Sequence, residues 1–258
     1  MEFIKSNFLN TTTQLTVNNN TTTALNLFNT DQFYQYYTDG LNSDLTTGSI
    51  TITFDVTTAV SRIALLDHNL KKFRLYYNGV TANTFTFTGS PATTTSYYTS
   101  NSETSQYFRF DTISVSSITL DMYSTKVADS EKALGRFIVS DLVYDMAQIP
   151  SAKDYDPNFV PKQIIHTLSD GGTRIHNIRN KWNTNIKLEY ITTSIRDSLK
   201  SLYDSEDTFI FCAFGTSTAW DRVIYDSVWT GPFDFYQYSD NATVAGFSGT
   251  IRLKETPS

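Results

Sequence analysis

The sequence predicts a mainly β protein, with an N-terminal jelly-roll β-sandwich followed by a β-sheet domain that carries one packed helix. Apolar and polar residues alternate in many short runs, which is the period of a strand with one buried face. A clear run at helical spacing occurs only near residues 192–204. The composition agrees, because 16 Tyr, 18 Phe and only 18% charged residues are typical of a β-rich chain with weakly charged surfaces.

Residues 49–139 contain a succession of short strand-like runs. Such runs begin at Ile50, Val60, Phe73, Phe85, Tyr107, Ile118 and Gly135. Turn-forming residues separate them, among them Asp67-His68-Asn69 and the hairpin sequence Asn78-Gly79. Short strands joined by turns at this density indicate a sandwich or jelly roll, which we assign to residues 1–144.

Two stretches lack a clear period. The Thr- and Asn-rich residues 10–30 are expected to be exposed extended chain, and they and the loop 92–106 could be arms that become ordered only on assembly. Residues 145–161 contain Pro150, Pro157 and Pro161 and are expected to form an extended connector between two domains.

The second domain, residues 162–258, is organised around its helix. Thr192 or Thr193 is a candidate cap, and Ile195, Leu199 and Leu202 follow at helical spacing. Strands are expected on both sides of the helix and again at 223–228, 233–238 and 244–253. Gly246 and Gly249 in the last of these strands predict a bulge or a close approach of another backbone.

Charge and cysteine content exclude several classes of protein. The formal net charge of −6 argues against general nucleic-acid binding, which needs a basic surface. The single Cys212 cannot form an intramolecular disulfide and lies in an apolar run, so it is expected to be buried. The first residues lack the pattern of a signal peptide, and no apolar run reaches membrane-spanning length. We therefore expect a soluble chain made in a cytoplasm, without membrane association.

The three histidines were considered as catalytic or metal-binding groups. His68 follows Asp67, but neighbouring strand residues point to opposite faces, so the pair does not form a catalytic dyad. A turn residue that binds the backbone is the better interpretation of His68. His166 and His176 have no Cys or carboxylate at ligand spacing, so we interpret both as surface or interface residues.

Other polar clusters give no catalytic or metal site either. The sequence 170–172 has glycines but no following Lys-Ser/Thr, so it predicts a hairpin turn and not a phosphate loop. Asp204, Glu206 and Asp207 lack the alternation of a calcium loop and are interpreted as a solvated helix end. A cell-wall hydrolase would use two carboxylates, which the sequence does not pair. We predict no enzyme activity, no catalytic residue, no metal ligand and no cofactor.

Aromatic residues are the remaining candidates for ligand binding. Tyr97 and Tyr98 lie in a Ser/Thr/Tyr-rich loop, and aromatic rings of this kind can stack on sugars. They are the ligand-binding residues that the sequence suggests. Trp182, Trp220 and Trp229 could stack on sugars in the same way, but packing in a core or interface is the favoured interpretation.

The first domain resembles the galactose-binding-like jelly roll of discoidin and coagulation-factor lectin modules. The resemblance rests on Ile50–Phe54, on Val60–Leu70 with its His-Asn turn, on Phe73–Asn78 and on the closing strand Gly135–Val139. It covers about half the chain and implies a sandwich that could bind sugar. No loop shows a diagnostic set of sugar-binding residues.

The C-terminal half resembles tail proteins of long-tailed bacteriophages, namely the distal tail, baseplate hub and tail-tube subunits. The resemblance rests on the layout of Thr173–Phe214 and on the strands Arg222–Trp229 and Gly249–Leu253. It implies a tail-tube-like domain that assembles into a ring, commonly a hexamer. It also implies contacts with tube, hub and fibre proteins, and a place in the virion tail after assembly in the host cytoplasm.

Two functions follow as hypotheses. The first is a structural ring protein, like a distal tail or adaptor protein, that links the tail tube to the tip or baseplate. The alternative is a carbohydrate-binding module that attaches to glycans of the host surface. The aromatic-rich and weakly charged composition is compatible with both, because covered ring surfaces and sugar-binding surfaces use the same residue types.

Overall fold

The computed structural model describes residues 1–30, 34–88, 96–146, 155–167, 172–213, 224–237 and 246–256. The described part of the chain is mainly β, as predicted. It divides into two compact units. The sandwich unit is built on Ile4–Leu142, and the sheet-and-helix unit on Val143–Phe211 and Tyr225–Pro257 together with Met1–Phe3. None of the described helices is long and apolar enough to cross a membrane.

The strands are numbered in chain order. Those up to residue 145 are β1 (Glu2–Ile4), β2 (Leu15–Val17), β3 (Tyr36–Tyr37), β4 (Gly48–His68), β5 (Leu70–Tyr77), β6 (Tyr97–Tyr98), β7 (Gln106–Thr125), β8 (Ala133–Ser140) and β9 (Leu142–Asp145). Those after it are β10 (Tyr155–Thr167), β11 (Thr173–Ile191), β12 (Phe209–Cys212), β13 (Ile224–Trp229), β14 (Phe235–Gln237) and β15 (Phe247–Glu255). One α-helix, α1 (Thr193–Asp204), and two 3₁₀ helices, Thr12–Gln14 and Thr21–Phe28, complete the described elements.

The sandwich unit is made by two long antiparallel strands that run through both of its layers. The strand order is β3-β8-β4-β7-β5-β6, with β2 also paired to β4. The register of β4 on β7 shifts between Thr53 and Thr58 and again between Val60 and Arg62. Around the first shift the chain is exposed, and 73% of Val56 is accessible. The first half of β4 therefore lies in one layer with β5, and the second half lies with β8 in the other.

Both layers contribute to one hydrophobic core. Ile50, Ile52, Leu120 and Met122 come from one half of the β4–β7 pair, and Ile63, Leu65, Phe108, Phe137 and Val139 come from the other half and from β8. Phe85 and Phe87 also belong to the core, although they lie outside the strands. The ring of Phe85 is tilted against that of Phe110, with centroids 4.9 Å apart, and the ring of Phe87 stacks on that of Phe108 at 4.5 Å. A single core enclosed by two layers is the sandwich that the sequence predicted.

The residues 10–30 do not form the exposed extended chain that the sequence suggested. They contain the two 3₁₀ helices, and Leu27 is fully buried in the core of the sandwich unit. The amide groups of Asn18, Asn19 and Asn20 donate hydrogen bonds to the backbone carbonyls of Thr47, Asp39 and Tyr37. The Asn tract therefore fastens this segment to its neighbours, because asparagine side chains can replace a backbone partner where no strand pairs.

A buried lysine holds the loops between β3 and β4. Lys132 is fully buried, and its ammonium group donates hydrogen bonds to the carbonyls of Leu41 (3.1 Å) and Ser43 (3.2 Å). Burial lowers the pKa of Lys132, while the charges of Asp44 and Asp129 act in the opposite direction. The ammonium group of Lys132 thus satisfies loop carbonyl groups that do not pair with any strand.

The sheet-and-helix unit is built on a second sheet with the strand order β10-β11-β15-β13-β12-β1-β9, and β14 pairs with β15. Strand β1 brings the first residues of the chain into this sheet, where Phe3 is fully buried and its ring lies 5.2 Å from that of Phe211. Trp182 of β11 is fully buried and stacks on Tyr225 with a centroid distance of 4.3 Å. These aromatic contacts form the core of the unit.

Helix α1 packs on this sheet as predicted. Thr192 caps it by accepting a hydrogen bond from the backbone N–H of Ile195 at 3.3 Å, and Leu199 is its buried residue. The ring of Tyr203 lies 5.5 Å from that of Trp229 in β13. The predicted close approach at Gly249 is also present, because a Cβ there would overlap the backbone oxygen of Asp234.

Two local predictions differ from the structure. The segment expected to be a connector forms strand from Tyr155 onward, at one end of the second sheet. Pro157 and Pro161 are compatible with that position, because an end strand pairs on one side only. The Asn78-Gly79 turn has the expected positive φ angles of 54° and 67°, but it does not close a tight hairpin, because the next strand that pairs with β5 is β6, Tyr97–Tyr98.

These units also differ in extent from the predicted domains 1–144, 145–161 and 162–258. Met1–Phe3 group with the later part of the chain, because β1 pairs within the second sheet. Val143 already belongs to that unit as well. Sequence periodicity could not show this, because a strand of three residues carries no information about its partner.

Replacing Lys132 by Met is expected to lower the free energy of unfolding by about 1–3 kcal/mol, because the carbonyls of Leu41 and Ser43 lose buried donors. Urea denaturation measures the change. Lys71→Met is the matched control, since Lys71 is exposed, and should be close to neutral. Equal stability of the two variants would show that the buried ammonium is not what holds the loop.

Candidate functional site

The two tyrosines suggested by the sequence point to opposite sides of the sandwich unit, because they are neighbours on strand β6. Tyr98 points inward, where its ring stacks on Phe73 with centroids 4.7 Å apart and an interplanar angle of 13°. It also lies 5.7 Å from the ring of Phe108 and packs against the core. Tyr97 faces outward and is half-buried. Of the two, only Tyr97 lies on an outer surface that a ligand could reach.

Tyr97 ends a row of outward-facing residues that crosses four paired strands. Ser49 on β4 is the register partner of Asp121 on β7, Asp121 is the partner of Arg74 on β5, and Arg74 is the partner of Tyr97 on β6. We call Ser49, Asp121, Arg74 and Tyr97 the outer row. Its members face outward because their strand neighbours Ile50, Leu120, Met122, Phe73, Leu75 and Tyr98 belong to the core or pack on it.

The side chains of one lysine, Lys72, and one tyrosine, Tyr123, extend the outer row on one side. The ring of Tyr123 meets that of Tyr97 edge to face, with centroids 5.9 Å apart. The ammonium group of Lys72 lies 5.7 Å from the Tyr97 centroid and 5.4 Å from the Tyr123 centroid. The guanidinium carbon of Arg74 lies 4.5 Å from the Tyr97 centroid. Two cations therefore lie against two aromatic rings at cation–π distance.

The carboxylate of Asp121 is the acidic member of this surface. It accepts a hydrogen bond from the hydroxyl of Ser49 at 3.0 Å and a long one from the hydroxyl of Tyr123 at 3.5 Å. Burial raises the pKa of Tyr123, and the charge of Asp121 raises it further. The same two causes raise the pKa of Tyr76, the next outward residue on β5. Both phenols therefore stay protonated at neutral pH and act as neutral hydroxyl groups.

The outer row together with Lys72, Tyr76 and Tyr123 is called the Tyr97 face. It combines aromatic rings, cationic donors, a carboxylate acceptor and hydroxyl groups on one side of a sheet. Its residues are half-buried, so their positions are fixed by neighbours while their polar atoms remain accessible. Such an arrangement can bind a polar ligand that has an apolar side.

His68 occupies the structural role that the sequence suggested. Its ring is buried, and Nδ1 accepts a hydrogen bond from the backbone N–H of Leu70 at 3.2 Å. Burial lowers the pKa of His68 to about 3; the charge of Lys126 lowers it too, and a hydrogen bond with Gln106 acts in the opposite direction. A histidine held neutral and bonded to the backbone stabilises the turn and cannot serve as a base at an open site.

The remaining candidates are dispersed. His166 is exposed, and Asp204, Glu206 and Asp207 are exposed at the end of α1. Across the described residues, no group of three or more His, Cys, Asp or Glu side chains could hold a metal ion. Trp182 is buried in the core of the sheet-and-helix unit, and Trp229 packs against α1. The side chain of His176, the sequence 168–171 and Trp220 lie outside the described residues.

Sequence reasoning missed Arg74, Lys72, Asp121 and Tyr123. In the sequence they are polar positions of alternating strands, and local periodicity does not show which of them lie on paired strands. Their positions relative to one another depend on which strands pair. Because loops of different length separate β5, β6 and β7, spacing in the sequence does not give that pairing. The available signal was the alternation itself, because the residues between Phe73, Leu75, Leu120 and Met122 had to face outward.

Comparison with known proteins gives no family assignment. No family model and no curated protein matches the chain. Among solved structures it is similar to a chitosan-binding module from Paenibacillus sp. IK-5, with 10% identity, 54% of this chain and 98% of that chain covered, and a TM-score of 0.38. It is also similar to the family 32 CBM of Clostridium perfringens NanJ in complex with galactose, with 14% identity, 55% and 100% coverage, and a TM-score of 0.38.

A further similar structure is a GH29 fucosidase from Ruminococcus gnavus, with 11% identity, 55% of this chain and 28% of that chain covered, and a TM-score of 0.39. Likenesses of this strength carry no argument about the ligand or activity of this chain. The similar structures named here are carbohydrate-binding modules or an enzyme that acts on sugars. They lend no support to the expected likeness to bacteriophage tail proteins, which stays a prediction.

The buried His68 predicts a pH dependence of stability. Its folded pKa of about 3 lies below the ordinary value of 6.5, so the unfolded chain binds the proton first as the pH falls. Its contribution is complete above pH 6.5 and is lost below it, by about 1.4 kcal/mol per pH unit. His68→Asn keeps a backbone acceptor without titrating and should flatten the stability profile between about pH 5 and 6.5.

Urea denaturation at a series of pH values measures this slope. The matched control is His166→Asn, because His166 is exposed and its replacement should leave the profile of the unaltered chain in place. If His68→Asn and the unaltered chain lose stability in parallel over this range, the buried neutral state of His68 is refuted.

Proposed function

We propose that the sandwich unit is a carbohydrate-binding module that holds a glycan on the Tyr97 face. The observation that carries this proposal is the outer row, in which an aromatic ring, a cationic donor, a carboxylate acceptor and a hydroxyl group are aligned across four strands. We propose binding without catalysis.

The chemistry of sugars fits this surface. A pyranose ring presents an apolar side of C–H groups and a rim of hydroxyl groups, each of which both donates and accepts hydrogen bonds. An aromatic ring can cover the apolar side, while charged groups bind hydroxyls with stronger hydrogen bonds than neutral groups do. On the Tyr97 face, Asp121 can accept from the ligand, and Arg74 and Lys72 can donate to it.

The geometry also favours a glycan chain over a single small sugar. The outer row follows the width of a sheet in which neighbouring strands lie about 4.8 Å apart, so four strands span about 14 Å. A sheet surface of this kind is open along its length, whereas sites for single small molecules are usually concave. We therefore propose an oligosaccharide of two or more residues as the ligand.

Replacing Tyr97 by Leu is expected to weaken glycan binding by about tenfold or more, because the stacking ring is lost while the strand is kept. A glycan array identifies ligands of the unaltered chain, and isothermal titration with the best of them measures the effect. Tyr98→Phe is the control, since its ring packs on Phe73 and should keep binding within about twofold.

Absence of glycan binding by the unaltered chain would refute the proposed function. Equal loss with Tyr97→Leu and Tyr98→Phe would place the ligand elsewhere. Circular dichroism and urea denaturation of each variant separate loss of the binding surface from loss of folding.

The expected function as a ring-forming tail component remains a second candidate, and one observation favours it. Strand β10 has 13 residues, lies at the end of the second sheet and pairs with β11 as its only partner among the described strands. Its last six residues, 162–167, contain no proline and could pair with a strand of another copy. In that case the protein would belong to a virion tail, with tube, hub or fibre proteins as its partners.

If this second candidate is correct, the purified chain should form closed rings as its concentration rises. Light scattering should then give a mass several times the 29.2 kDa of one chain, and negative-stain images should show rings. A monomer at all concentrations would contradict self-assembly. It would leave glycan binding untouched, because the Tyr97 face lies within one sandwich unit.

A further inference from the structure

Arg74 has an unusual position within the outer row. Its register partner across β5 and β7 is Asp121, which is the arrangement that normally forms a cross-strand ion pair. The guanidinium group instead lies against the ring of Tyr97, and Asp121 accepts hydrogen bonds from Ser49 and Tyr123. In the described part of the chain, Arg74 forms no ion pair.

Lys72 repeats the same arrangement. Its ammonium group lies near the rings of Tyr97 and Tyr123 and, among the described residues, has no acidic partner. The adjoining sequence 89–95 contains no Asp or Glu that could supply one. Aromatic rings attract cations, but they carry no net charge and leave both positive charges unneutralised. Two half-buried cations near the ring of Tyr97 therefore favour the binding of an anion.

The kind of anion follows from the neighbours of these cations. A guanidinium group matches the planar shape of a carboxylate and can bind both of its oxygens at once. Asp121 lies in the same row and would repel a polyanion, as would the formal net charge of −6 of the chain. A glycan with a single carboxylate, hydroxyl groups for Asp121 and an apolar ring side for Tyr97 fits all three features.

We infer that the glycan bound on the Tyr97 face is acidic, with a uronic or sialic acid residue whose carboxylate is held by Arg74 and Lys72. This inference rests on the proposed function, because it assigns the ligand class of the same surface. Tyr97 supplies the stacking ring for both neutral and acidic sugars, and Arg74 supplies the preference for the carboxylate.

The test compares acidic glycans with their carboxyl-reduced counterparts, which differ only at the proposed contact. The probes are 3′-sialyllactose, an oligosaccharide that carries a single glucuronic acid residue, and the carboxyl-reduced form of each. An array that also contains neutral and sulfated glycans widens the comparison. The unaltered chain is expected to bind at least one acidic probe about tenfold more tightly than its reduced form, a difference that sodium chloride should diminish.

Two variants separate the roles of charge and ring. Arg74→Gln should reduce binding of the acidic probe to the level of the reduced probe and leave the reduced probe unchanged. Lys71→Gln removes the same charge from an exposed position of the same strand and should keep the preference. Tyr97→Leu should weaken both probes alike.

The outcomes distinguish this inference from the proposed function. Equal binding of acidic and reduced probes, or a preference for neutral glycans, overturns the inference and leaves carbohydrate binding in place. Equal or tighter binding of sulfated glycans overturns the assignment of a carboxylate. No binding to any glycan overturns both, and an unchanged preference in Arg74→Gln overturns the role of Arg74.

Discussion

The pairing of β4 with β7 is the constraint on which the sandwich unit depends. Both strands pass through two layers. The apolar side chains in both halves of each strand must therefore face the same core. Inward residues on β4 fall at Ile50, Ile52 and Phe54 before the register shifts and at Ile63 and Leu65 after them. The shifts thus change which alternate positions face inward. Without them, Ile63 and Leu65 would face away from this core.

The same alternation produces the Tyr97 face on the other side of the sheet. Once Leu120, Met122 and Leu75 are directed into the core, Asp121, Tyr123 and Arg74 must lie outside. Their distances are then set by strand spacing and register, which the core fixes. The binding surface is therefore preorganised by packing on its inner side, and a ligand would meet side chains whose backbone positions do not have to change.

The limits of the sequence-based prediction have the same physical origin. Local periodicity was sufficient to predict a mainly β chain and to locate α1 with its cap at Thr192. It divided β4 into two strands, because a register shift inside a strand looks like a boundary between strands. It also found Tyr97 but paired it with Tyr98, although neighbours on a strand face opposite ways. The partners of Tyr97 are distant in sequence, and only strand pairing brings Arg74 and Asp121 beside it.

The polar side chains in the loops of the sandwich unit differ from those on the Tyr97 face in the partners that they bind. This difference makes the Tyr97 face the better place for a ligand. In the loops, the charged and amide groups bind the protein itself: Lys132 binds two loop carbonyls, and Asn101 donates to the carbonyls of Leu70 and Glu103. Lys126 likewise donates to the carbonyl of His68. On the sheet face, β-pairing satisfies the backbone, and the cationic groups of Arg74 and Lys72 lie against aromatic rings. A ligand that bound at these loops would have to displace internal hydrogen bonds, whereas Arg74 and Lys72 on the Tyr97 face form no ion pair in the described part of the chain that a ligand would have to break.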